Sequence, residues 1–248
     1  MKFISINFKL GLGLLFLSSL ILPLPCFGSI TIPGDLTDGE QELVLQILGF
    51  GTSFRPVDNP YPLGGYSGLE LGLSFENVPT GDVGYFGQKA AVDRNLLYPR
   101  LSVGKGIFQN IDLFFSFVPY NESTGLGIYS GGLRWNFFQA TFVPANFSLL
   151  VSATNTDINN LFISQTEGVD LISGVNVDPF SFYVGAGALY GQAQFDTSIT
   201  YNGLPTNKIG QSFHTVIGAN FAIDQFFSAV EVDSYNTTIL SLKVGTRL

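Results

Sequence analysis

The chain has 248 residues, of which 12% are charged and 14% aromatic, with 29 glycines, one cysteine and a net charge of -8. So few charges among so many aromatics exclude a disordered chain. One cysteine excludes a disulfide scaffold, and an acidic chain without a basic stripe excludes nucleic acid as a partner.

Lys2 and Lys9 precede a mostly apolar run from Leu10 to Leu24 that Pro23 and Pro25 close. This is the charged and apolar pattern of an export signal, and it is too short and broken for a membrane anchor. Small residues near Cys26-Phe27-Gly28 place cleavage after Gly28, so residues 1–28 are read as a cleaved signal peptide. Lipidation at Cys26 is disfavoured by Pro25, which stands where a small residue is wanted. The mature chain then has no cysteine, as suits an exported protein.

Residues 29–59 form an N-terminal segment that reads as a strand, a plug or a periplasmic piece. Glu42 to Leu48 could open a helix, whereas Leu48 to Phe54 reads as a strand. If that strand spans, parity asks for another, hidden in Gly81–Val92.

Residues 60–248 alternate with period two, which puts successive side chains on opposite faces of a sheet. Leu69, Leu71, Leu73 and Phe75 oppose Glu70, Gly72, Ser74 and Glu76. Leu101 and Val103 oppose Arg100 and Gly104, and Ile111, Leu113, Phe115 and Phe117 oppose Asp112 and Ser116. The pattern continues through Leu133–Phe137, Phe147–Ala153, Val169–Val175, Phe180–Tyr190 and Phe213–Phe221. Val230 and Val232 follow, and Leu240, Leu242, Val244 and Leu248 share the last apolar face. Ten such segments follow Gly65.

Alternation alone fits a secreted sandwich as well as a barrel. Three features favour the barrel: a polar face rich in glycine and small residues, aromatics near strand ends, and a chain that ends within a strand. The aromatics are Tyr98, Tyr120, Trp135, Phe137, Phe138, Phe180, Phe226 and Phe227, read as interfacial girdles. The fold class expected is all-β, a transmembrane antiparallel up-and-down β-barrel of 10–12 strands in the bacterial cell outer membrane. Short turns near Gly106–Asn110, Gln139–Asn146, Asp178–Pro179 and Asp224–Gln225 belong to the periplasmic end. Longer connections over Asn77–Asn95, Tyr120–Gly125, Asn155–Gln165 and Gly191–Gly210 face outside, with Tyr235–Thr238 a short exception. The phases put no Arg or Lys on the lipid face, where one costs about 2–4 kcal/mol at the bilayer midplane.

The segment Tyr98-Pro99-Arg100-Leu101-Ser102-Val103-Gly104-Lys105-Gly106 resembles a strand found in a group of poorly characterised bacterial outer-membrane barrel proteins. The closing Lys243-Val244-Gly245-Thr246-Arg247-Leu248 resembles that group's last strand, with Leu248 where an aromatic is usual. The resemblance implies insertion by the barrel-assembly machinery, with Val244, Gly245 and Leu248 as the assembly signal and outer-membrane lipid as surroundings. It implies no substrate.

The polar face carries Glu70, Glu76, Asp112, Asp170, Glu231 and Asp233 against Arg100, Arg134, Lys243 and Arg247, with His214 among them. These residues are expected to line the lumen, as a selectivity lining or as a structural network. Eight strands are just filled by side chains and sixteen leave a channel, so ten to twelve fall between. The function expected is a small passive channel or transporter for modest polar or amphipathic solutes, porin-like. The alternative is a closed structural or surface-interaction barrel. Ser212 and His214 are the one nucleophile–base pair, but their order and polar-face position do not fit lipid hydrolysis. A lipid-modifying enzyme is therefore a distant third, and no catalytic residue is expected. No cofactor and no metal site are expected: Asp157, Glu167 and Asp196 are scattered over loops without a calcium-loop spacing. The sequons at Asn121, Asn146 and Asn236 carry no meaning in a bacterial outer membrane.

Overall fold

A computed structural model describes residues 30–90, 92–122, 124–140, 144–201 and 204–248, with Asn121 by its backbone alone. The expected signal peptide and Cys26 lie outside the described residues.

Ten strands follow one another: β1 (Leu69–Pro79), β2 (Asn95–Phe108), β3 (Ile111–Asn121), β4 (Leu126–Gln139) and β5 (Ala145–Ile158). They continue with β6 (Phe162–Val177), β7 (Phe180–Phe195), β8 (Asn207–Ile223), β9 (Phe226–Ser234) and β10 (Thr238–Arg247). Each pairs antiparallel with its neighbours in sequence, and β10 pairs with β1 to close the sheet. The closing register sets Leu73 opposite Val244 on the outside and Ser74 opposite Lys243 on the inside. Closure leaves the barrel without a free lateral edge over most of its height.

Alternation inverts the usual polarity. Leu171, Phe182, Phe213, Ile217 and Leu242 are exposed on the outer wall, whereas Arg100, Arg134 and Lys243 are buried inside. An apolar exterior around a polar interior is stable only where lipid replaces water outside. The molecule is a membrane-spanning β-barrel, the architecture of the bacterial outer membrane. Among the described residues, no helix is long and apolar enough to cross a membrane.

The starts of β1 and the end of β10 share one end of the barrel with the short turns after β2, β4, β6 and β8. The opposite, outer end carries the longer connections 80–94 and 196–206. The connection expected over Asn155–Gln165 is shorter, because β5 runs to Ile158 and β6 starts at Phe162. Asn159 and Asn160, both at positive φ, are the central residues of the turn in that three-residue connection, and Leu161 N–H donates to the Ile158 carbonyl at 2.9 Å. Gly81–Tyr85 is a short 3-10 helix, and among the described residues of 81–92 the further strand sought there does not form.

Residues 48–54 form no strand either. Asp38–Val44 is a helix, α1, which passes into a π-turn at Leu45–Gly49. Its start is capped by Glu40: Thr37 N–H and Oγ1 both donate to Glu40 Oε2, at 2.8 and 2.7 Å. Helix α1 lies in a notch of the wall. The pairing of β8 with β9 begins only at Thr215↔Ser234, so Asn207–His214 rise above the β9–β10 hairpin. Lys208 above the notch is ion-paired to Asp38, and Asn236 below it is hydrogen-bonded to Gln46.

Three other expectations shift. Tyr98 and Phe227 point inward and are buried, so they take no part in the girdles. Lys105 is exposed on the outer wall at the lower end of β2, where its Nζ donates to the Tyr66 carbonyl. Asp157 and Glu167 lie within β5 and β6 rather than on loops.

Candidate functional site: a lumen filled from end to end

After the π-turn the chain enters the barrel and descends it. The inward residues of β6 and β7 trace the path: a Cβ on Gly49 would lie 3.5 Å from Ser164, and one on Gly191 would lie 2.6 Å from the Phe50 ring. Lower down, Phe54 meets the Phe114 ring at 6.5 Å between centroids. Below that, Ser148 Oγ donates to the Pro60 carbonyl at 2.7 Å, and the Pro60 ring packs on Gly174. Leu63 N–H donates to Asp112 at 3.1 Å, and β1 begins six residues later at the short-turn end.

Bare glycine makes room for this segment. A Cβ on Gly132 would come within 2.6 Å of the Phe54 ring, and one on Gly174 within 2.6 Å of Pro60. Val57 has φ 47, a left-handed backbone that a β-branched residue adopts only when its neighbours hold it. Those neighbours are anchored: Lys243 Nζ donates to the Pro56 carbonyl at 2.7 Å, and Asp58 is ion-paired to the wall.

The charged residues of the inner wall come together around this segment. Glu76 receives both Arg55 at 3.2 Å and Arg100 at 2.9 Å. Arg55 also reaches Asp233 at 3.1 Å, and His214 lies between Asp170 at 2.6 Å and Asp233 at 3.7 Å. Arg134 joins Asp112 at 2.9 Å to Asp58 at 3.5 Å. Glu70 takes Lys243 at 2.7 Å and Arg247 at 3.0 Å, and Arg247 also pairs with Asp58. Glu231 accepts from the Tyr183 hydroxyl at 2.7 Å. All eleven residues proposed for the lumen face inward, and all but Arg247 are buried. Val244 is exposed on the outer wall, and Leu248 lies beyond the last strand, its N–H donating to the Leu69 carbonyl at 2.8 Å.

Sequence reasoning missed Arg55 and Asp58. Neither belongs to a periodic segment, so alternation could not place them inside. One signal was available: on the strands alone, Glu76 and Asp233 outnumber the cations near them, and a buried carboxylate needs a partner. Ser212 and His214 share the inner face as expected, but the Ser212 hydroxyl donates to the Phe213 carbonyl and His214 is held by Asp170. Among the described residues, no cluster of ligating side chains could hold a metal.

No family model matches the chain, and neither does any curated protein. The N-terminal β-barrel domain of Pseudomonas aeruginosa OprF overlays with a TM-score of 0.34 at 13% identity, covering 74% of this chain and 99% of that one. Ail, the attachment invasion locus protein of Yersinia pestis, gives 0.31 at 12% identity over 73% and 99% of the two chains. The KdgM porin, solved with a disordered oligogalacturonate, gives 0.35 at 10% identity over 72% and 98%. These are remote likenesses.

Proposed function

We propose that this outer-membrane barrel is closed in its resting form and acts as a structural and surface-interaction barrel rather than an open channel. One observation supports this above the others: Asp58 of the inner segment is ion-paired to Arg134 on β4 and to Arg247 on β10, across the lumen. A channel lining needs charges that face water. Here Arg100, Arg134, Lys243 and Arg247 of the inner wall each hold a carboxylate, and the space between them is occupied by residues 49–63. The channel expected from the alternation of the wall is reached only if that segment leaves. No enzymatic role is proposed: the Ser212 hydroxyl donates to the Phe213 carbonyl, and His214 is held by Asp170.

Liposomes carrying the refolded mature chain test this reading by osmotic swelling in small sugars. The closed barrel gives the swelling of protein-free liposomes. A double substitution, Arg55→Ala with Asp58→Ala, weakens both anchors and makes the liposomes leak. Sugar permeation through the unaltered chain would overturn the proposal.

A further inference from the structure

The outer wall has a depression of about 660 Å³ that crosses β3 to β8. That size lies within the range of ligand pockets. Gly131 and Ala153, opposite each other on β4 and β5, form its floor, and Leu133, Val151, Val169 and Ala188 form the next row toward the short-turn end. The row of Gly131 and Ala153 continues across β6, β7 and β8 as Glu167, Tyr190 and Gln211, each opposite the next. Residues opposed in this way stand about 4.5–5.5 Å apart at Cα, so the three polar ends share one rim.

The rim is unsatisfied by the protein. Among the described residues, neither the Glu167 carboxylate, the Tyr190 hydroxyl nor the Gln211 amide has a side-chain partner. One row further out the wall behaves differently, with Gln192 donating to Gln165 at 2.8 Å. A carboxylate beside an apolar trough at the edge of the lipid-facing belt is costly without a countercharge. A primary ammonium supplies one, with three donors for the carboxylate and its neighbours.

We infer that the trough binds one amphiphile, its acyl chain over Gly131 and Ala153 and its primary ammonium head on Glu167. The Tyr190 hydroxyl and Gln211 amide serve the phosphate and ester groups next to that ammonium. This rests on the outer wall facing lipid, as the membrane reading requires.

The test is native mass spectrometry of the refolded mature chain released from nanodiscs of equal parts phosphatidylethanolamine, phosphatidylcholine and phosphatidylglycerol. The expected result is one retained lipid, with phosphatidylethanolamine favoured at least fivefold over each of the others. Glu167→Gln removes that preference while a lipid is still retained, and Ala153→Phe, which fills the floor, removes retention of all three. Heat-modifiable migration on gels verifies that each variant is folded. Equal retention of the three lipids, or a preference that survives Glu167→Gln, would overturn the site and leave the membrane reading intact. Failure of the unaltered chain to enter nanodiscs would overturn both.

Discussion

Arg55 Nε lies 3.1 Å from Asp233 Oδ2, which ties the segment inside the barrel to a wall strand some 180 residues later in the chain. The same guanidinium reaches Glu76 on β1 at 3.2 Å. A single residue therefore holds together two strands that pair with opposite edges of β10. Buried ion pairs add little net stability, because desolvation offsets their attraction, but removing one partner strands the other. Arg55→Met keeps the volume and deletes the charge. Urea unfolding in lipid should show a loss of about 3–5 kcal/mol, and a loss below 1 kcal/mol would mean that the pairs do not form.

Phe54 fills the lumen at the level where Gly132 leaves space for it. Phe54→Ala should cost about 3–5 kcal/mol through the cavity left behind. Gly132→Ala attacks the same contact from the wall and should cost about 1–3 kcal/mol by overpacking. Combined, the two should cost less than their sum, since the alanine methyl enters the vacated space. Strict additivity, measured by the same unfolding experiment, would place Phe54 elsewhere.

The wall and the segment inside it differ in how far the sequence reveals them. Leu240 to Arg247 can be assigned to faces on sight, because a period of two leaves no other arrangement with one apolar side. Arg55 to Pro60 obey no period. Their position follows from contacts with Glu76, Arg134 and Ser148, residues brought together only when the barrel closes. Tyr98 was misread for a related reason: an aromatic near a strand end suggests a girdle, yet its place on the inner face was fixed by parity with Arg100. Glu167 reads in the sequence only as one of three scattered carboxylates, because a lone carboxylate has no motif, and its meaning comes from Tyr190 and Gln211 on the next two strands.

Helix α1 should loosen in acid. Partial burial raises the Glu40 pKa, but hydrogen bonds from the Thr37 hydroxyl and from the Gly87 and Thr37 amides outweigh it, so the value lies below 4.5. A depressed carboxyl contributes stability that is present above its unfolded pKa and lost as pH falls through the folded one. The contribution is about 1 kcal/mol or less, because the site is open to solvent. Hydrogen exchange at the Thr37 and Gly87 amides should quicken in Glu40→Gln at pH 7. The difference from the unaltered chain should shrink as pH falls below 4.5. A difference that grows in acid would contradict this cap.

Asn59 Nδ2 donates to Ser181 Oγ at 3.3 Å near the short-turn end of the barrel. In a mature chain without other cysteines, Asn59→Cys with Ser181→Cys should cross-link on oxidation of the folded protein and fail to do so in urea. Cross-linking efficiencies that are equal in both states would mean that the segment is not lodged against β7.

The most direct test of the closed barrel is single-channel recording from the refolded mature chain in a planar bilayer, at two salt concentrations. The filled lumen predicts insertion without stable conductance steps, and steps that emerge when Arg55 and Asp58 are both replaced by Ala. Reproducible, ion-selective steps from the unaltered chain would contradict it.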